Sequence, residues 1–245
     1  MNIIKLNAID STNSYIKENA VKNNFESFTV VLAEKQTSGR GQLGTVWESE
    51  QGKNLTFSIL IKFLDFKITQ QFYLSMAVSL AVLVVLKKQF EATFYIKWPN
   101  DILADKDKVA GILIENSIVG NFIKNSVIGI GLNVNQTNFS KEIEHVTSLK
   151  NISSVEIDKE KLLIDVVNSI EYFVEFIYRK EFLKLKEMYM NTLYKYKIPA
   201  MFVDKNNTVF MGKIVNISVE GQLVIELENE KTRKFNLKEI KFASR

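Results

Sequence analysis

The sequence predicts an α+β protein: a mixed α/β domain over residues 1–197 and a small β-barrel over residues 198–245. Three observations predict it. Short β-branched runs bracket one long apolar stretch at residues 72–86, so strands and a core helix share the first part. A second helical stretch covers residues 159–194, with Phe173, Phe176, Ile177 and Tyr178 spaced as a core face. Past Pro199 the texture changes to short strand-like runs between polar turns at 204–207, 219–221 and 228–231.

In chain order, residues 2–9 alternate weakly and predict a strand. Asp10-Ser11-Thr12-Asn13 is a dense run of helix N-cap types, so a helix follows over 14–22. Residues 28–33 read as a strand, 36–44 as a glycine-rich loop and 55–61 as a further strand. The long helix covers 70–90, and strands follow at 94–98, 108–115 and 126–134. Two helices fill 159–194, and the barrel completes the chain.

Of the 245 residues, 46% are hydrophobic and 24% charged, enough for a sizeable core without covalent staples. Cysteine is absent and His145 is the single histidine. That excludes disulfides, thiolate nucleophiles and Cys/His metal clusters. His145 lies in a polar stretch and reads as a surface or packing residue. Chemistry must rest on Lys, Arg, carboxylates, hydroxyls and backbone. The net charge of +4 reads as a lysine-rich surface, with one denser basic stretch at Lys231, Arg233, Lys234, Lys238, Lys241 and Arg245. The stretch at 72–86 carries Ser75 and Ser79 and is shorter than the roughly 20 apolar residues of a membrane span. It reads as a buried helix. The first residues have no apolar signal core. The expectation is a soluble, cytoplasmic protein with no membrane attachment.

Gly39-x-Gly41-x-x-Gly44 matches the dinucleotide-binding pattern, with Asp65 where a ribose-binding acid would stand. The context fails, because Thr45-Val46-Trp47 and then a strand follow Gly44, not the helix whose N-terminus would take the pyrophosphate. The glycines instead allow close approach to a ligand, with Arg40 as a planar cation between them and Trp47 as a flat face for adenine. Further polar islands are Lys97-Trp98-Pro99-Asn100-Asp101, where proline enforces an extended or turning backbone, and Lys108-Val109-Ala110-Gly111-Ile112-Leu113-Ile114-Glu115. The last is Gly129-Ile130-Gly131-Leu132-Asn133-Val134-Asn135. Each taken alone also reads as ordinary structure: a capped turn, an edge lysine, packing glycines.

Together and in this order, the islands closely resemble the biotin–protein ligase family. The resemblance implies a mixed α/β catalytic domain of the biotin/lipoate ligase type followed by an SH3-like barrel. It implies an enzyme that uses ATP with Mg²⁺ to activate biotin as biotinyl-5′-AMP, then joins biotin to a lysine of a biotin carboxyl carrier domain, that of acetyl-CoA carboxylase being the family expectation. It places Ser11, Thr12, Asn13 and Gln36 at the ureido end of biotin, with Gly39, Gly41, Gln42 and Gly111 completing the biotin site. Arg40 and Lys108 become the catalytic cations. Trp47 and Asn133 hold adenine, and Lys97, Asn100 and Asp101 support the phosphates, with Mg²⁺ near Asp101 and no metal cage built by the protein alone. The chain departs from the family where many members add arginines to the loop; here stand Gln42, Leu43 and Thr45, which implies weaker retention of the adenylate. It also starts at the catalytic domain, so an N-terminal DNA-binding domain is not expected. An exposed sheet edge would serve a homodimer. Two rivals remain open: a lipoate or octanoate ligase, and a nucleic-acid-binding module built on Phe210, Phe235 and Phe242 of the basic barrel.

Overall fold

The structure, a computed structural model, describes residues 1–140 and 142–243. Arg245 of the basic stretch lies outside the described residues, as does the side chain of Leu43.

The α+β expectation is borne out. The elements of the first part are β1 (Asn2–Leu6), α1 (Thr12–Asn19), β2 (Thr29–Ala33), β3 (Leu55–Lys62), α2 (Gln71–Gln89), β4 (Phe94–Lys97) and β5 (Asp101–Ala104), followed by β6 (Asp107–Val119), β7 (Phe122–Leu132), α3 (Leu149–Ser153), α4 (Lys159–Tyr178) and α5 (Phe182–Asn191). Its strands form a sheet in the order β1-β2-β3-β7-β6-β5-β4. β1 and β2 pair in parallel and every other neighbour is antiparallel. The C-terminal SH3-like unit is a second antiparallel sheet of β8 (Pro199–Asp204), β9 (Val209–Ile217), β10 (Leu223–Leu227), β11 (Thr232–Phe235) and β12 (Ile240–Phe242), ordered β11-β10-β9-β8-β12.

Strand alternation gives the large sheet two unlike faces. On one, Leu55, Phe57, Ile59 and Ile61 of β3 join Ile128, Ile130 and Leu132 of β7 in a core capped by α2 and α4. The stretch read as a buried helix is that core helix: it passes the length and composition test for a membrane span, yet it is buried along most of its length. On the other face, α1 packs Ile16 against Phe25, Val31, Leu60 and Val127. There Leu113 of β6 is flanked by small or polar positions: Thr56 and Ser58 of β3, Gly129 and Gly131 of β7, Gly111 of β6. This second face is the floor of the site.

Three local expectations change. Helix α1 begins at Thr12, not Ser14, and its N-cap Ser11 makes no side-chain capping bond. Gln36 Oε1 takes the Thr12 N–H at 2.8 Å instead, so the cap-type residues are left for other uses. β5 replaces part of what reads as a polar island. β6 and β7 extend to a hairpin turn at Gly120, whose φ is +59°.

Candidate functional site

A cleft of about 600 Å³ lies between the small-residue face of the sheet and the C-terminal unit. It collects most of the residues expected from the sequence. Ser11, Thr12, Asn13 and Gln36 form one end; Arg40, Gly41, Gln42 and Trp47 come from the glycine loop; Lys97, Asn100, Asp101, Lys108 and Gly111 form the far wall.

The polar end is a closed network. Gln36 Oε1 accepts from both the Thr12 amide and the Thr12 hydroxyl, at 2.8 and 3.0 Å. Ser58 Oγ, fully buried, lies 2.6 Å from Thr12 Oγ1 and 2.5 Å from Asn13 Oδ1. Its single proton serves one of these acceptors at a time. Asn13 can descend to the sheet because Gly129 lies beneath it: a Cβ there would stand 2.5 Å from Asn13 Oδ1. Asn13 Nδ2 donates to Glu115 Oε2 at 2.8 Å.

The glycine loop is a small hairpin. Arg40 bridges Val46, Gly41 N donates to Thr45 O at 2.7 Å, and Trp47 N donates to Gly39 O at 3.0 Å. No helix follows Gly44, which agrees with rejecting the dinucleotide pattern, and Asp65 pairs instead with Lys180 at 2.6 Å. Thr45 closes the turn by donating its hydroxyl to Gln42 O at 2.9 Å. The Trp47 ring lies flat on the cross-strand pair Gly111 and Gly131, where a Cβ on Gly131 would fall within the indole. Its Nε1 is buried with no hydrogen-bond partner among the described residues.

Two cations flank this floor. Arg40 Nη2 reaches Ser14 Oγ at 3.2 Å and Glu115 Oε2 at 3.1 Å. Lys108 Nζ pairs with Asp101 Oδ1 at 2.7 Å and stands 5.6 Å from the Trp47 ring centroid. Burial alone would raise the Glu115 carboxyl. The hydrogen bonds from Asn13 and Lys17 and the charges of Arg40 and Lys17 outweigh burial and hold it below the usual carboxylate range.

Lys97 and Asp101 face each other at the base of the β4–β5 hairpin. Its connecting loop is tied on three sides: Trp98 Nε1 to Gly221 O at 2.9 Å, Asn100 Nδ2 to Ile112 O at 2.7 Å, and the Tyr189 hydroxyl to Pro99 O at 3.4 Å.

Two expected residues are not on the cleft wall. Gly39 sits behind the loop, where a Cβ would strike the Trp47 carbonyl, so its role is to let the hairpin close. Asn133 is 2% exposed, and its Nδ2 donates to Thr147 O at 3.0 Å. Its amide nitrogen holds a turn. Conversely, sequence reasoning missed Ser58, Glu115 as a site residue, and the wall contributed by the C-terminal unit, where Lys205, Asn207, Lys241 and Phe242 face the cleft. Of the barrel aromatics proposed for stacking on single strands, Phe235 is buried and Phe210 stacks on Phe202 and Phe235 at 5.9 and 5.8 Å, while Phe242 faces the cleft.

The profile of the biotin/lipoate A/B protein ligase family matches residues 6–133, which hold the sheet from β2 to β7, the loop and both cations. The chain belongs to this family. The chain is 30% identical over 230 residues to the bifunctional ligase/repressor BirA of Bacillus spizizenii, covering 92% of this chain and 70% of that one. It is 31% identical over 165 residues to the biotin–[acetyl-CoA-carboxylase] ligase of Mycobacterium tuberculosis, covering 66% and 59% of the two chains. The chain thus spans less than two thirds of the latter relative. The fold of the chain superposes on the biotin protein ligase of Aquifex aeolicus in complex with biotin and ATP, with a TM-score of 0.81 and 28% identity over 100% of this chain and 99% of that one. The order of islands read from the sequence therefore marks a true family member.

Proposed function

We propose that the chain is a biotin–protein ligase, which activates biotin with ATP to biotinyl-5′-AMP and transfers biotin to a lysine of a biotin carboxyl carrier domain. The observation that carries this reading is the cleft itself: the uncharged polar groups of Thr12, Asn13 and Gln36 at one end, Arg40 of the covering loop beside them, and Lys108 next to Gly111 and Trp47, within a family that contains such ligases. The polar end suits a cyclic urea, which both donates and accepts. In the first step a biotin carboxylate oxygen attacks the ATP α-phosphorus and pyrophosphate leaves. Two anions meet and charge concentrates in the transition state, so preset cations lower the barrier. Lys108 would meet the carboxylate and α-phosphate, and Arg40, on leaving Glu115, the phosphate. In the second step the acceptor lysine amine attacks the mixed anhydride and AMP departs. Positioning carries much of that step.

Trp47 and the Lys97–Asp101 hairpin would take the nucleotide. No group of three metal-ligating side chains is present among the described residues. Mg²⁺ fits as an ion carried by the ATP phosphates and water, with Asp101 as its protein neighbour. The acceptor we favour is the carrier domain of acetyl-CoA carboxylase, after the name of the mycobacterial relative. We place the enzyme in the cytoplasm and take the edge strand β1 as a surface for a homodimer.

The test is pyrophosphate release from ATP and Mg²⁺ with biotin, and in parallel with lipoate. Release with biotin alone supports the reading. Release with lipoate alone keeps the adenylation and overturns the substrate. No release with either overturns both.

A further inference from the structure

One carboxylate stands where the two functions of the cleft meet. Glu115 lies on the site face of β6, and its Oε2 accepts from both Asn13 Nδ2 and Arg40 Nη2, while Oε1 takes Lys17 Nζ at 3.0 Å. Its side chain is 24% exposed, so this is not the open surface pair whose worth is near zero. Asn13 is held at both ends of its amide, with oxygen on Ser58 and nitrogen on the Glu115 anion. The carboxamide therefore cannot flip without setting a carbonyl oxygen against a carboxylate. Arg40 is tied at Ser14 and at the same Glu115 oxygen.

We infer that Glu115 is a positioning residue that joins the amide facing the uncharged end of the substrate to the arginine of the loop that covers it. The inference rests on the ligase reading above. When Arg40 turns to an anionic ligand, Oε2 is left to Asn13, whose amide is then held more tightly; when the site empties, Arg40 returns and the hairpin is pinned. One side chain thus serves both recognition and closure.

The test uses the whole chain and the variants Glu115→Gln and Lys17→Ala. Glu115→Gln should raise the KM for biotin roughly tenfold, the scale of one hydrogen bond to a charged group, with KM for ATP and kcat changed far less. In ligand-free protein it should also speed trypsin cleavage at the Arg40–Gly41 bond, read by peptide mass. Lys17→Ala removes only the outer partner and should change neither. An unmoved biotin KM, an unmoved Arg40 cleavage rate, or an equal effect from Lys17→Ala overturns the inference. Should Glu115→Gln fail to fold, Glu115→Asp, which keeps the charge and shortens the reach, is read the same way. If the wild-type chain shows no biotin-dependent activity, the ligase reading fails, and the cleavage arm still decides whether Glu115 pins the loop.

Discussion

Lys108 faces the cleft because its strand is irregular. Ile102 pairs with Ala110 and Leu103 with Lys108, so Val109 is an extra residue. Such a bulge re-aims its neighbours: Val109 turns into the core with no exposure, and Lys108 turns to the site. Lys108→Ala should lower the adenylation rate ~10²–10³-fold, as for loss of one preset donor at an oxyanion. A single-turnover assay near the wild-type rate would refute the role. Trp47→Ala should raise the KM for ATP, and Gly131→Ala should do the same, because its Cβ evicts the indole. Matching KM values in both variants check this. Glu115 also predicts an acid limb. Its folded value is depressed, so its contribution is present above the unfolded value, about 4.3, and is lost as pH falls through the folded one. Melting temperature against pH should therefore fall less steeply below ~4 in Glu115→Gln than in wild type. At this scale the sequence was legible where charge interrupts glycine or apolar runs, as at Arg40 and Lys108. Ser58 was not legible, because one serine in an apolar strand looks the same whether it faces solvent or clamps an amide. Asn133 is ambiguous for a related reason: an amide that reads a base and one that holds a turn are the same residue.

Among the elements, α2 was legible because it is apolar on every side, the mark of a helix enclosed by protein. Leu74, fully buried in its first turn, should cost about 2–5 kcal/mol on truncation to Ala. Urea denaturation with an unchanged slope checks this. The hairpin of β6 and β7 was seen only at its apolar ends, since Asn116, Ser117, Lys124 and Asn125 break the alternation where it leaves the core. β5 has four residues and begins with the site acid Asp101, so chemistry masked it as a strand. Helix α1 begins early with Ser11 making no cap bond, while Gln36, distant in sequence, accepts the free N–H of the first helical residue, Thr12. That contact is a tertiary effect and leaves no local trace.

Over the whole molecule, the change of sheet at Pro199 does not divide the core. Phe202, Ile214, Ile217, Leu223 and Ile225 belong to the same buried cluster as Leu74 and Tyr189. Tyr196 bridges Ile214, and Gly221, with φ +89°, sits against the Phe72 ring. The chain should therefore melt in one transition, with calorimetric and van't Hoff enthalpies equal; two resolved transitions would show independent domains. Removing residues 198–245 should leave an aggregating remnant, because it strips that cluster and leaves the Trp98 indole N–H without Gly221. The shared cleft also sets an order in time. Its floor and both cations are translated first, but its opposite wall waits for Lys205, Lys241 and Phe242. A chain growing at roughly 5–20 residues per second cannot enclose a small molecule until that stretch has left the ribosome, so ligand can stabilise only chains translated past it.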